Sequence, residues 1–133
     1  MKTAKDPRHI RREKTVRSLF SFSFLEKNIK NQFALKIVKS KKKIDQAIAK
    51  AAPEWPIDQI NRIDLAILRL AVFELAVTPL EPPKVVIDEA VELAKKYGSE
   101  KSPSFINGVL GTVFKNLEKK KKKKVPAGKI TKK

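Results

Sequence analysis

The amino-acid sequence predicts an all-α protein, and three observations carry that reading. Apolar residues recur at three- and four-residue spacing through almost the whole chain, the period of a helix face. Glycine occurs four times in 133 residues, and no Asn-Gly or Asp-Gly pair lies between alternating runs, so the usual hairpin turns are missing. Hydrophobic residues make up 41% of the chain, enough for a folded globule with its own core.

The first helix is expected to start with Asp6 as cap and Pro7 at its first position, where a missing N–H costs nothing, and to run to about Phe24. Val16, Leu19, Phe20 and Phe24 share one face. Arg8, Arg11, Lys14, Thr15, Ser18 and Phe22 share the other, with Arg12 near the border. A second helix is expected from Lys30 to Ala51. It buries Phe33, Ile37, Ile44, Ile48 and Ala51, and leaves Lys36, Lys39 and Lys41 to Lys43 in solvent. Pro53 and Pro56 then break the chain around Trp55, which reads as a packing anchor. After a short turn at Ile57 to Ile60, Asp64 is expected to cap a helix from Leu65 to Val77. That helix is apolar nearly all round and so belongs at the centre.

Pro79, Pro82 and Pro83 separate it from a helix over Lys84 to Tyr97, which buries Val86, Ile87, Ala90, Leu93 and Ala94 and ends at Gly98. Ser102 and Pro103 open the last helix, where Phe105, Ile106, Val109, Leu110, Val113, Phe114 and Leu117 form the apolar stripe. Gly108 and Gly111 within it are expected to admit close helix contact. Six consecutive lysines follow from Lys119. They repel one another with nothing apolar to offset the ordering entropy, so 119–133 is expected to be a disordered tail beyond a helical domain of 1–118.

Net charge is +17, and it is unevenly spread. Residues 1–50 carry +11, residues 51–118 carry −3, and residues 119–133 carry +9. The basic end points to a polyanion partner. The first helix presents cations for phosphates and one exposed ring, Phe22, for a base, which is what an RNA surface needs. Cysteine is absent and His9 is the only histidine, so disulfides, thiolate or histidine metal clusters and Ser-His-Asp triads are excluded. Asp88 and Glu92 share a helix face but lack further ligands, and read as a solvated acidic face. No catalytic residue, metal or cofactor is expected. No apolar run approaches the ~20 residues of a membrane span, and no secretory signal follows the basic N-terminus, so a cytoplasmic location is the default.

Three segments together are similar to the C-terminal half of the NusB family: Ile63 to Leu75 (IDLAILRLAVFEL), Pro82 to Gly98 (PPKVVIDEAVELAKKYG) and Ser102 to Leu110 (SPSFINGVL). The basic helix from Arg8 to Phe24 resembles the family's arginine-rich first helix more loosely. The resemblance implies a bundle of two fused three-helix halves. It also implies an RNA-binding antitermination factor, not an enzyme, that binds boxA-type leader RNA with the ribosomal protein NusE inside an RNA polymerase antitermination complex on ribosomal RNA operons. The family's RNA surface maps to Arg8, Arg11 and Arg12, and to the start of the last helix at Lys101, Phe105 and Asn107; the helix face adds Lys14 and Phe22. Between the first helix and Trp55 the chain is shorter than the family pattern, so the N-terminal half is expected to be shortened, with one helix missing or collapsed. The family often has an acidic residue where Lys101 stands and an Arg where Leu65 stands.

A basic ribosomal protein would suit the net-acidic half, and Glu74, Glu81 and Glu89 are the expected docking carboxylates. The competing readings are ribosomal RNA assembly, or an accessory domain of a ribosomal RNA methyltransferase system. The latter would need a catalytic cysteine and a Rossmann-like domain.

Overall fold

The computed structural model describes residues 6–25 and 30–124. Six helices follow in order: α1 (Pro7–Leu25), α2 (Gln32–Lys39), α3 (Lys41–Ala51), α4 (Arg62–Val72), α5 (Pro83–Tyr97) and α6 (Ser102–Lys124). A 3-10 turn (Ile57–Gln59) precedes α4, and a wider π-helical turn (Phe73–Val77) extends it. The two halves are α1–α3 and α4–α6.

Helix α4 is the axis of the fold. Every residue from Asp64 to Val72 is buried, and α4 touches each of the other five helices. Around it pack Val16 and Leu19 from α1, Ile37 from α2, Ile44 and Ile48 from α3, Val86, Leu93 and Ala94 from α5, and Ile106, Leu110 and Val113 from α6. These are the stripes the periodicity predicts. The one strongly polar side chain in the middle of α4, Arg69, is paired in a fork with Asp45 of α3, Nε to Oδ1 at 2.9 Å and Nη2 to Oδ2 at 3.0 Å. A buried guanidinium is tolerable only with such a partner.

Four local expectations change. The helix expected over Lys30 to Ala51 is two helices that meet at Ser40, whose N–H turns back to the Ile37 and Val38 carbonyls. The N-terminal half therefore keeps three helices, and it is α2 that is short. The bend lets α2 stay against α1 while α3 turns onto α6. Asn61, not Asp64, caps α4: its Oδ1 accepts from the Ile63 and Asp64 N–H groups. Gly98 has an extended backbone (φ −92°), so a left-handed turn is not its reason. A Cβ there would lie 2.5 Å from the Ser102 side chain, and glycine is needed for that close approach. Around Gly108 and Gly111, by contrast, a Cβ would meet nothing within 4 Å, so they admit no close helix contact.

Helix α6 also continues through the lysines to Lys124, past the expected boundary at 118. The expected tail from Val125 to Lys133 and the Phe24 side chain lie outside the described residues.

Candidate nucleic-acid interface

Helix α1 begins as the sequence predicts. Asp6 Oδ1 accepts from the Arg8 N–H at 2.9 Å, and Pro7 fills the first position. The Arg8 side chain bonds back to the same carboxylate, which holds Asp6 below its ordinary pKa, and it leans toward Glu81 at 3.5 Å. Arg8, Arg11 and Lys14 are exposed. Arg11 lies over the Phe33 ring of α2 at 4.6 Å, which orders its stem while its charge stays in water. Thr15, expected on the same polar face, is buried and returns its hydroxyl to the Arg11 carbonyl.

Arg12 does something else. It is 3% exposed. Its Nε donates to Glu74 Oε2 at 2.8 Å, and Nη2 donates to Glu74 Oε1 at 2.6 Å and to Glu81 Oε2 at 2.8 Å. Nη1 lies 3.5 Å from Glu89 Oε1. Burial alone would lower the guanidinium pKa, but the hydrogen bonds and charges of Glu74 and Glu81 outweigh it and raise it. Arg12 is therefore a buried bolt between α1 and the C-terminal half, closed to phosphate.

The same geometry corrects the docking carboxylates. Glu74 (6% exposed) and Glu89 (4%) are buried, and Glu81 is largely covered. All three face Arg12 and offer little to a partner. His9 closes the cluster between Glu89 (3.2 Å) and Glu13 (3.6 Å). Lys96 of α5 bonds Glu13 at 2.5 Å, which holds that carboxyl below its ordinary pKa.

The start of α6 is built on Ser102, whose Oγ accepts from the Ser99 N–H at 2.9 Å. Lys101 and Asn107 are exposed on either side of it, and Phe105 is half-buried. The Phe105 ring meets Trp55 edge to face, with centroids 6.0 Å apart. Trp55 is 49% exposed, so it is no packing anchor. Sequence reasoning missed it as a surface ring, although two flanking prolines that hold it out on a loop were a usable signal. Arg17 was missed too; it is exposed and donates to the Tyr97 hydroxyl at 3.1 Å.

Phe22 is half-buried in a hollow with Lys41, Ile57, Asp58, Arg62 and Arg69. The connector after α3 thus carries Trp55 against Phe105, and its Ile57 and Asp58 line the hollow that Phe22 lines. The rings at the C-terminal end of α1 and at the start of α6 share this one connector, while Arg8 stands at the other end of α1 beside Glu81. Among the described residues, no group of three or more His, Asp or Glu side chains could hold a metal ion, and no helix is long and apolar enough to cross a membrane.

Comparison with known proteins gives one consistent result. The model of the NusB family matches residues 9–115. The transcription antitermination protein NusB of Chloroflexus aggregans is 54% identical over 72 residues, covering 53% of this chain and 48% of that protein. Its counterpart from Geotalea uraniireducens is 43% identical over 100 residues, covering 75% and 66%. The chain spans about half the length of several of the curated relatives it matches. Among solved structures, T. maritima NusB superposes with a TM-score of 0.77 at 29% identity, over 86% of this chain and 93% of that one. A crystal structure of antitermination factors NusB and NusE in complex with dsRNA superposes with a TM-score of 0.72 at 26% identity, over 84% and 99%.

Proposed function

This chain belongs to the NusB family, and from that premise we propose that it is an RNA-binding antitermination factor acting in the cytoplasm. It binds boxA-type leader RNA together with NusE and joins an RNA polymerase complex that resists termination on ribosomal RNA operons. It works by binding, with no catalytic step of its own.

One observation supports this reading above the others. The connector after α3 sets Trp55 against Phe105 and lines the Phe22 hollow at the C-terminal end of α1, the helix that also carries the exposed cations Arg8, Arg11 and Lys14. Cations position a strand through its phosphates, and rings take its unstacked bases. The RNA-contacting set is therefore Arg8, Arg11, Lys14, Phe22, Lys101, Phe105 and Asn107, with Trp55 added and Arg12 removed. Lys101 adds a cation where the family often carries an acid.

The experiment is a titration of the full chain with a boxA-type oligonucleotide. Stacking is worth ~1–3 kcal/mol per base, so Trp55→Ala should weaken binding roughly 5- to 150-fold with little change in Tm. Lys14→Ala should reduce the log-log salt slope by about 0.7. Unchanged affinity and slope in both variants would place the RNA elsewhere.

A further inference from the structure

We propose that the elbow between α2 and α3 is a second binding site, which holds the phosphodiester backbone of single-stranded RNA as the strand leaves the Phe22 hollow. This rests on the RNA-binding reading above.

The elbow forms a shallow, open depression on the surface. Lys39, Lys41 and Lys42 line it with Gln46, and Val38 and Ala49 supply its apolar wall. Lys36 and Lys43, near these residues in sequence, are also exposed. A straight helix would present these lysines on a convex surface; the bend at Ser40 is what sets Lys39, at the end of α2, and Lys42, in the first turn of α3, around a hollow.

The one carboxylate in the groove does not cancel this charge. Both Asp45 oxygens are held by Arg69, at 2.9 and 3.0 Å, and Lys41 lies 3.5 Å from Oδ2. Asp45 is thus neutralised from the core side. Lys39 and Lys42 form no ion pair among the described residues. Three lysines, two of them exposed and outside any ion pair, therefore border one depression whose only carboxylate is already held by Arg69.

The lining also selects the ligand. No aromatic ring lines the groove, so it offers nothing for a base to stack on; it takes phosphates, without sequence preference. Continuity identifies their source. Lys41 lines both this groove and the Phe22 hollow. A strand with a base against Phe22 therefore passes Lys41 and meets Lys39 and Lys42 next. Base recognition stays with the rings, and the elbow adds salt-dependent affinity for a longer strand.

The test compares two single-stranded oligonucleotides, one of about six nucleotides that fills the ring-bearing surface and one about twice that length. Fluorescence titrations of the full chain are run across a range of salt. In Lys39→Gln/Lys42→Gln, the slope on the long strand should fall by about 1.4, two contacts at ~0.7 each, while the short strand is unaffected. A control with the same charge change, Lys84→Gln/Lys115→Gln, should leave both slopes as they are. An unchanged slope on the long strand overturns the proposal, as does an equal loss in the control, which would reduce the effect to net charge. The parent reading is read out separately. If Trp55→Ala and Lys14→Ala bind as wild type while the Lys39/Lys42 variant does not, the groove stands and the ring-bearing surface falls. If the short strand responds to Trp55→Ala and the long strand ignores the lysines, the reverse holds.

Discussion

Replacing Arg12 by Ala separates a structural ion cluster from an RNA contact, because the two readings predict opposite results. In the structure Arg12 is 3% exposed and makes two hydrogen bonds to Glu74 and one to Glu81. Among the described residues it is the one cation bonded to both carboxylates, and its removal leaves Glu81 only the more distant Arg8 at 3.5 Å. Breaking a buried pair from one side costs about 3–5 kcal/mol, far more than an exposed pair contributes. For a domain of this size roughly 1 kcal/mol moves Tm by about 4 °C, so Arg12→Ala should lose roughly 10–20 °C. Arg11→Ala, which gives up an exposed cation–π contact, should lose about 1 kcal/mol or less. Urea unfolding followed by circular dichroism at about pH 7 measures both losses. Where Arg12→Ala is still folded, its RNA salt slope should match wild type. A loss under about 1 kcal/mol, together with a slope reduced by about 0.7, would put Arg12 on a phosphate and refute the structural reasoning.

Two further outcomes follow from other positions. Leu80 is 79% exposed beside Pro82, Val85 and Asp88, so Leu80→Ser should weaken NusE capture while leaving RNA binding alone intact; equal NusE affinity by calorimetry would remove this patch as the dock. Asp64 Oδ1 is buried without a hydrogen-bond partner, and burial raises its carboxyl pKa above 3.8 while the Ser102 hydroxyl partly opposes the rise. A folded pKa above the unfolded one means stability is present below about 3.8 and lost as pH rises through the folded value. Asp64→Asn should therefore be the more stable protein at about pH 7, with the gain gone below about pH 4. An equal gain at both pH values would contradict this.

What was legible in the sequence was whatever is decided locally. Pro7 and Ser102 marked real helix starts because caps and fixed φ angles act within one turn. The stripes of α5 and α6 were legible because burial repeats with the helix period. Tertiary contacts decided the rest. Nothing near Ser40 breaks a helix outright; past the bend, α3 packs on α6. Asp64 is the cap expected from the sequence, and the chain uses Asn61 instead, which leaves Asp64 inside the helix. Arg12 sat at the border of the helical wheel, and no periodicity can say that three acids from elsewhere in the chain, at 74, 81 and 89, converge on it. At the candidate interface, residue types and helix faces were readable for Arg8, Arg11 and Lys14. The connector that lines the Phe22 hollow and sets Trp55 against Phe105 was not, because it depends on how the two halves meet.

This also changes the meaning of the charge count. Residues 51–118 total −3, which on the sequence suggests an acidic face for a basic partner. In the fold, Asp64, Glu74 and Glu89 are buried, and outside that stretch Asp45 is taken by Arg69 and Glu13 by Lys96. All of these but Asp64 are paired with cations across the helices, and together they add little to the surface field. The cations go the other way: Arg11, Lys14, Lys36, Lys39, Lys42, Lys43 and Lys101 all stand in solvent. A polyanion therefore meets a surface more positive than the summed charge of either half implies, while a basic protein partner meets a weaker acidic field. The acids left in solvent over 51–118 are Glu54, Asp58, Asp88, Glu92 and Glu100, and the exposed apolar Leu80 and Val85 add a second argument for where such a partner would dock.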